Sequence, residues 1–240
     1  IKVKLLRSMS TNIDNEHFEP LNEPLTDLKE KAKSLGLSIE ELCANIDIKE
    51  NPYTGNSIAL HHNNLPYRLQ GKGSKRLMSI AIQSELTKTG GIMLVDEIEQ
   101  GLEPDRISTL VNILKFNDKG QVFITTHNIN VIKECQGNNL FIVSKGTASL
   151  SNITTDLDNC RRYNPGVFFT PKVICCEGDT EFGILTAIDK WLFKTQKINF
   201  STLGGSIANV GGGANMYLYS SWLKEIGFDA CVFADDDIKE

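Results

Sequence analysis

An α/β protein with parallel sheets in two successive lobes is what this sequence predicts, and three observations predict it. Ile92-Met93-Leu94-Val95 follows Gly91 and runs straight into Asp96-Glu97, the pattern of a strand buried on both faces of a parallel sheet. A second apolar run, Val122-Phe123-Ile124, leads into Thr125-Thr126-His127, and 30 residues separate Glu97 from His127, room for one crossover helix between parallel strands. The device then recurs: Val173-Ile174-Cys175-Cys176 ends at Glu177, and an apolar run over residues 230–234 ends in Asp235-Asp236-Asp237. Carboxylates at the C-terminal ends of such strands lie where open α/β sheets bind ligands.

A chain of 240 residues allows one large domain or two of ordinary size. The expected division is an N-terminal strand and helical insertion or dimerisation element over 1–55, a first α/β lobe over 56–167 and a second over 168–240. Apolar content of 40% and charged content of 23% place it among ordinary globular chains. A net charge of −5 excludes a broad basic coat and leaves room for a local basic patch. No run approaches the roughly 18 apolar residues of a membrane span, so no membrane partner is expected. The start lacks both Met and a signal-peptide pattern, which leads us to expect a cytoplasmic protein and a fragment of a longer chain. The six cysteines, Cys43, Cys135, Cys160, Cys175, Cys176 and Cys231, include no Cys-x-x-Cys pair, so reduced and mostly buried thiols are expected rather than zinc or disulfides.

From the N-terminus, residues 1–6 read as a strand and 8–19 as a loop, with Pro20 and Pro24 as punctuation. Two helices split by Gly36 are expected over residues 26–44: Leu25, Leu28 and Ala32 share a face of the first, and Ser38 caps the second through Glu40-Glu41-Leu42. Plain packing helices account for them as well as a dimerisation element does. Asn-Pro and Thr-Gly mark a turn at 51–56. Residues 58–69 read as strand, broken by a loop at 61–64. His61 and His62 would point to opposite faces there, which argues against a metal site. A helix follows over 77–86. Its start, Gln70-Gly71-Lys72-Gly73-Ser74-Lys75-Arg76, puts glycines, a serine and cations where backbone amides and the helix dipole favour an anion.

Taken alone, the stretch ending in Asp96-Glu97 fits a buried strand with two solvated acids as readily as a catalytic one. A first acid there can hold Mg²⁺ and a second can polarise a water for attack on a phosphate. The order of features carries more: a glycine-rich helix start, an apolar strand, Asp-Glu, Gly101-Leu102-Glu103-Pro104, a helix over about 104–116, a second strand and Thr-His. This order resembles the ATP-binding-cassette ATPases, in the branch that includes chromosome-maintenance and DNA-repair enzymes. The resemblance implies that Asp96 holds Mg²⁺ and Glu97 orients the attacking water. It also implies that residues 101–104 form the D-loop, that His127 senses the γ-phosphate, and that Gly71, Gly73 and Ser74 contact ATP held by the opposite subunit of a homodimer or higher oligomer. The wording around Gly71 departs from the usual Leu-Ser-Gly-Gly-Gln. No Gly-x-x-x-x-Gly-Lys-Ser/Thr phosphate loop occurs in the chain, a further reason to expect a fragment.

Beyond a short helix to residue 136, a strand over 139–145 and a polar segment to residue 163, Pro165 and Pro171 mark a linker. The strand ending at Glu177 leads through Gly178 into a helix over 181–190. A strand at 198–202, glycines at 204–205 and 211–213 and a helix over 214–226 then precede the last apolar strand. Asp235 and Asp237 face the same way on extended backbone. With Glu177 they make a cluster too acidic to stand unpaired, and its oxygen-only donors suit Mg²⁺ or Mn²⁺, although three solvated acids would give the same pattern. Glu-Gly at one strand end and Asp-x-Asp at a later one resemble the TOPRIM domain of topoisomerases, primases and certain nucleases. That resemblance makes Glu177, Asp235 and Asp237 catalytic and adds Glu181 and Asp236 as candidate metal ligands.

An ATPase lobe followed directly by TOPRIM resembles the overcoming lysogenization defect (OLD) family of ATP-dependent nucleases, over about residues 56–240. The resemblance implies DNA as substrate, ATP and Mg²⁺ or Mn²⁺ as cofactors, and a role in anti-phage defence beside a partner such as a reverse transcriptase or a helicase. It also implies a lysine beyond Asp-x-Asp that would complete the site. A DNA-clamping or signalling ATPase that keeps TOPRIM as a binding module is the alternative. A topoisomerase ranks last, because Tyr217 and Tyr219 fall on a helix inside the second lobe.

Overall fold

The computed structural model describes residues 20–47, 57–63, 65–116, 120–144, 147–150 and 155–235. The strand expected over 1–6, the loop over 8–19, the turn at 51–56, Asp236 and Asp237 lie outside these residues. Packing divides the chain into two compact units, one up to Thr126 and one from His127; the lobe expected over 56–167 spans that division. No helix among the described residues is long and apolar enough to cross a membrane.

The first unit opens with α1 (Asn22–Ser34), which buries Leu28 and Ala32. Gly36 stops it at φ +88, with Leu37 N–H on the Ala32 carbonyl and Gly36 N–H on that of Lys33. This is a Schellman ending, in which a glycine takes the left-handed position. The second helix expected after Gly36 is absent. Residues 42–47 form β1 (Leu42–Asp47), antiparallel to β2 (Ser57–His62) with Ala44 opposite Leu60. The short-range helical signal of Glu40-Glu41-Leu42 yields to the pairing that β2 offers. A two-residue β3 (Leu65–Pro66) completes this sheet.

Helix α2 (Lys72–Leu86) packs on α1 and buries Leu77, Met78, Ile80 and Ala81. It begins one turn before the residues predicted, so Gly73 and Ser74 lie in its first turn. Strand β4 (Ile92–Val95) then pairs in parallel with β5 (Gln121–Ile124), Val95 opposite Ile124. The crossover is α3 (Pro104–Lys115), with Pro104 at the position where a missing N–H costs nothing. Its buried Ile107, Leu110, Val111 and Leu114 recur at the spacing of one helix face. The sheet differs from expectation in one respect. Met93 and Val95 are buried, but Ile92 and Leu94 are 61% and 69% exposed. In the first unit β4 pairs only with β5 among the described residues, and one face alone is covered.

The second unit begins with α4 (Ile129–Glu134), capped by the Asn128 side chain on Asn130 N–H. A hairpin follows, β6 (Phe141–Ser144) with β7 (Thr147–Leu150). The polar segment expected up to residue 163 is instead helix α5 (Thr155–Tyr163). Its charges conceal one buried side: Leu157, Cys160 and Arg161 point inward. Fully buried Arg161 donates to the carbonyls of Ile132 and Cys135 at the end of α4 and to Asp158 Oδ1 at 2.7 Å. It thereby satisfies acceptors that a helix C-terminus leaves without partners.

A parallel three-stranded sheet forms the centre of this unit, in the order β10 (Asp229–Phe233), β8 (Lys172–Cys176), β9 (Gly205–Asn209). Helices α6 (Asp179–Gln196) and α7 (Gly213–Glu225) follow β8 and β9. Val173, Cys175, Ala208 and Ala230 from the sheet pack with Met216, Tyr219, Trp222 and Leu223 of α7 and with Leu157 and Cys160 of α5. The strand expected at 198–202 is a turn, and β9 starts at Gly205. Asn199 and Thr202 explain the shift. Thr202 N–H donates to Asn199 Oδ1 at 2.8 Å and Asn199 N–H to Thr202 Oγ1 at 2.9 Å, local bonds that compete with a strand.

All six cysteines are free. Burial, then the neighbouring thiols, pushes Cys175 up to about 12; burial, then Glu181 and Asp179, pushes Cys176 up to about 11. Both are therefore neutral packing groups at physiological pH. Cys231, on the outer strand β10, is exposed.

Burial of Asp158 would raise its carboxyl, but hydrogen bonds and charge from Arg161 and Arg162 outweigh it and hold the group below its ordinary value. Its stabilising contribution is present above the unfolded value of about 4 and is lost as pH falls through the lower folded value. Replacing Arg161 with Ala strands two helix-end carbonyls and leaves the Asp158 carboxylate with Arg162 alone. The expected cost is about 3 kcal/mol, against less than about 0.5 kcal/mol for Arg162→Ala, whose side chain is half exposed. Urea unfolding of the two variants at pH 7 checks the contrast.

Candidate functional site

Two sets of acids stand at strand ends, one in each unit. In the first unit β4 ends at Val95, and Asp96 and Glu97 are exposed beyond it. Thr125, just past the end of β5, joins them. Its hydroxyl donates to Asp96 Oδ1 at 2.5 Å and accepts the Glu97 N–H at 2.8 Å. The parallel register that sets Val95 beside Ile124 places Thr125 there. Glu97 adopts φ +47, a left-handed conformation that costs a non-glycine residue about 1–2 kcal/mol. From the other side Arg76 of α2 donates through Nη2 to the main-chain carbonyls of Asp96 and Glu97, the latter at 2.9 Å. The second Asp96 oxygen has no protein partner among the described residues, so an exposed carboxylate of this kind fits a hard cation.

The chain then turns twice, with Gln100 N–H on the Glu97 carbonyl and Leu102 N–H on that of Glu99. Thr126 Oγ1 fixes the turn by donating to Glu99 Oε2 at 2.8 Å. These turns press Gly101 against the first turn of α2. A Cβ on Gly73 would meet the Gly101 carbonyl at 2.5 Å, so packing alone demands glycine at position 73. A Cβ on Gly71 would meet nothing within 4 Å, which leaves the α2 N-terminus open to a ligand. Ser74, half-buried in that turn, accepts the Tyr67 hydroxyl on its carbonyl at 3.4 Å. The structure thus gathers Gly73, Ser74, Asp96, Glu97 and Gly101 around α2 and β4. His127 opens the second unit, where its ring lies 6.4 Å from that of Phe169.

In the second unit Glu177 extends β8 and Asp235 follows β10. The register pairs Cys176 with Phe233, so the two acids leave neighbouring strands, which lie about 4.8 Å apart. Glu177 is half-buried, and its carbonyl accepts Gly212 N–H at 3.0 Å, which folds the glycine loop after β9 beside it. Glu181, 7% exposed, turns back to accept Gly178 N–H at 3.0 Å and caps α6. Asp179 Oδ1 accepts the Asn209 side chain at 2.7 Å. Asn209 in turn is held by Asn164, which accepts its N–H and donates to its carbonyl. No group of three His, Cys, Asp or Glu side chains able to hold a metal ion forms among the described residues; Asp236 and Asp237 lie outside them. The oxygen donors of Glu177 and Asp235 suit Mg²⁺ or Mn²⁺ in kind.

Sequence reasoning identified the acids and missed the residues that hold them. Thr125 stood in the quoted Thr-Thr-His stretch, and Arg76 in the helix start. Nothing in their local pattern signals that the two grip Asp96 and Glu97 from opposite sides.

Comparison with known proteins adds three findings. A family model described as "AAA domain, putative AbiEii toxin, Type IV TA system" matches residues 13–133. One described as "Overcoming lysogenization defect protein-like, TOPRIM domain" matches residues 168–237. A solved structure from work on ATP-driven dimerization and DNA-stimulated activation of SMC ATPases is 14% identical, with 56% of this chain and 86% of that chain covered and a TM-score of 0.35. No curated protein matches the chain. The first family model covers half of the polypeptide, and the chain belongs to that AAA ATPase-domain family, joined to an OLD-like TOPRIM domain in the ATPase–TOPRIM order of the OLD family.

Proposed function

We propose that this protein is an ATP-hydrolysing, divalent-metal-dependent DNA endonuclease or nickase of the OLD type, cytoplasmic and acting in anti-phage defence. The observation that carries the reading is the register of β8 and β10, which brings Glu177 and Asp235 out on adjacent strand ends within the segment matched to TOPRIM. Glu177, Asp235, Asp236 and Asp237 hold Mg²⁺ or Mn²⁺, with Glu181 close by as the cap of α6. The bound cation supplies Lewis acidity to a phosphodiester and to its attacking water. Glu177, half-buried beside the glycine loop, keeps its carboxylate at a fixed strand end.

In the ATPase unit Asp96 holds Mg²⁺ through the oxygen that Thr125 leaves open, and Glu97 orients the hydrolytic water. Gly71, Gly73 and Ser74, at the positive end of α2, receive the γ-phosphate of ATP bound by a second copy in a homodimer, and His127 reports its presence. Nucleotide state then governs access of DNA to the metal site. Contacts to DNA come mainly from Lys and Arg on phosphates and weaken with salt. A reverse transcriptase or a helicase of the same defence system is the partner class that fits this reading.

Plasmid cleavage by the full-length protein tests the nuclease. Nicking in Mg²⁺ or Mn²⁺ is expected to fall at least 100-fold in Glu177→Ala and Asp235→Ala and to vanish in EDTA; cleavage that survives either change overturns the assignment. DNA binding that tolerates EDTA, without cleavage under any condition, replaces it with the clamp reading.

Phosphate release tests the ATPase separately. Glu97→Gln is expected to lower kcat at least 100-fold. Thr125→Val, which removes the bridging hydroxyl at nearly constant volume, is expected to lower it about tenfold, since orientation of a reacting group accounts for effects of that size and larger.

A further inference from the structure

Glu97 is held at both of its main-chain polar groups. Its N–H donates to Thr125 Oγ1, and its carbonyl accepts Arg76 Nη2 at 2.9 Å. The same nitrogen also reaches the Asp96 carbonyl, so one cation turns two successive carbonyls to the same side. Between these grips Glu97 stays at φ +47, a conformation that persists in a non-glycine residue only when its surroundings impose it. Thr125 follows β5 directly, but Arg76 belongs to α2, two residues beyond Ser74. Its Nε is buried without a partner among the described residues, and its hydrogen bonds go to the two carbonyls. The first turn of α2 is tied to the same stretch a second time, through the packing of Gly73 on Gly101.

We propose that Arg76 is a positioning residue for ATP hydrolysis: it transmits the placement of α2 to Glu97, so that a ligand at the α2 N-terminus sets the geometry of the hydrolytic carboxylate in the same chain. The inference rests on the ATPase reading above. In a dimer whose α2 N-terminus receives the partner's nucleotide, this arginine links the two ATP sites.

Steady-state phosphate release by the full-length protein across an ATP titration is the test, with wild type, Arg76→Met and Arg76→Lys compared. Arg76→Met is expected to lower kcat at least tenfold while KM for ATP moves less than threefold. Arg76→Lys keeps one cationic nitrogen within reach of both carbonyls and is expected to recover kcat to within threefold of wild type. If Arg76→Met does not fold, Arg76→Gln replaces it, with at least a threefold loss of kcat at constant KM expected. A folded variant without the cation that turns over within twofold of wild type overturns the proposal, as does a KM that rises in step with the fall in kcat. Absence of hydrolysis in the wild-type protein overturns the ATPase reading and this proposal with it, and is told apart by the wild-type measurement alone.

Discussion

One hydroxyl fixes the acid-bearing end of the sheet formed by β4 and β5. Thr125 gives its proton to the Asp96 carboxylate and takes the Glu97 N–H, so a single side chain locks the two acids to the neighbouring strand. A hydrogen bond to a charged group contributes about 1.5–3 kcal/mol, comparable to the cost of the left-handed backbone at Glu97. The turns after Glu97, the seating of Gly101 on Gly73 and the reach of Arg76 all start from that anchored position. Register therefore precedes chemistry. A slip of β5 by one residue would carry Thr125 away from both acids and turn its side chain to the opposite face.

The second unit solves the same problem with amides. Asn164 holds Asn209 by its backbone, Asn209 holds Asp179 by its side chain, and Glu181 folds back on Gly178. The strand ends around Glu177 are thus set by neutral groups and by two carboxylates, Asp179 and Glu181, that already have partners. Arg161 works at a distance from this region, joining the end of α4 to α5. The unit is built from polar locks around an apolar centre, and the buried cysteines take part as packing atoms.

How much of this was legible depended on the range of the interaction that decides each element. The run from Ile92 to Glu97, the proline start of α3 and the alternation of strand and helix near Glu177 are local signals, and the fold follows them. Leu42 to Asp47 looks helical from its neighbours and becomes a strand because β2 pairs with it. The helix holding Arg161 looks like loop because its buried side pairs Leu157 and Cys160 with a charged residue that finds main-chain acceptors elsewhere. The acids could be read because they end strands. Arg76 could not be read as a partner of Glu97, since the two stand 21 positions apart in sequence and only the packed α2 brings them together. The open side of β4 escaped for a related reason: an apolar run reports what a strand can bury, and Ile92 and Leu94 lie on a side that the described residues of the unit leave uncovered.

The contrast among the thiols has a practical side. Cys175 and Cys176 are buried, and their thiols stay protonated at neutral pH, so maleimides and other thiolate-directed reagents pass them by. Cys231 is exposed on β10, four positions before Asp235. A dye or spin label placed there would sit on the strand that leads to the acids, while Cys43 and Cys135, each partly shielded, could be replaced by serine to make the attachment unique among accessible sites. Fluorescence or paramagnetic broadening could then report whether a divalent cation binds at the strand end, without any assay of turnover.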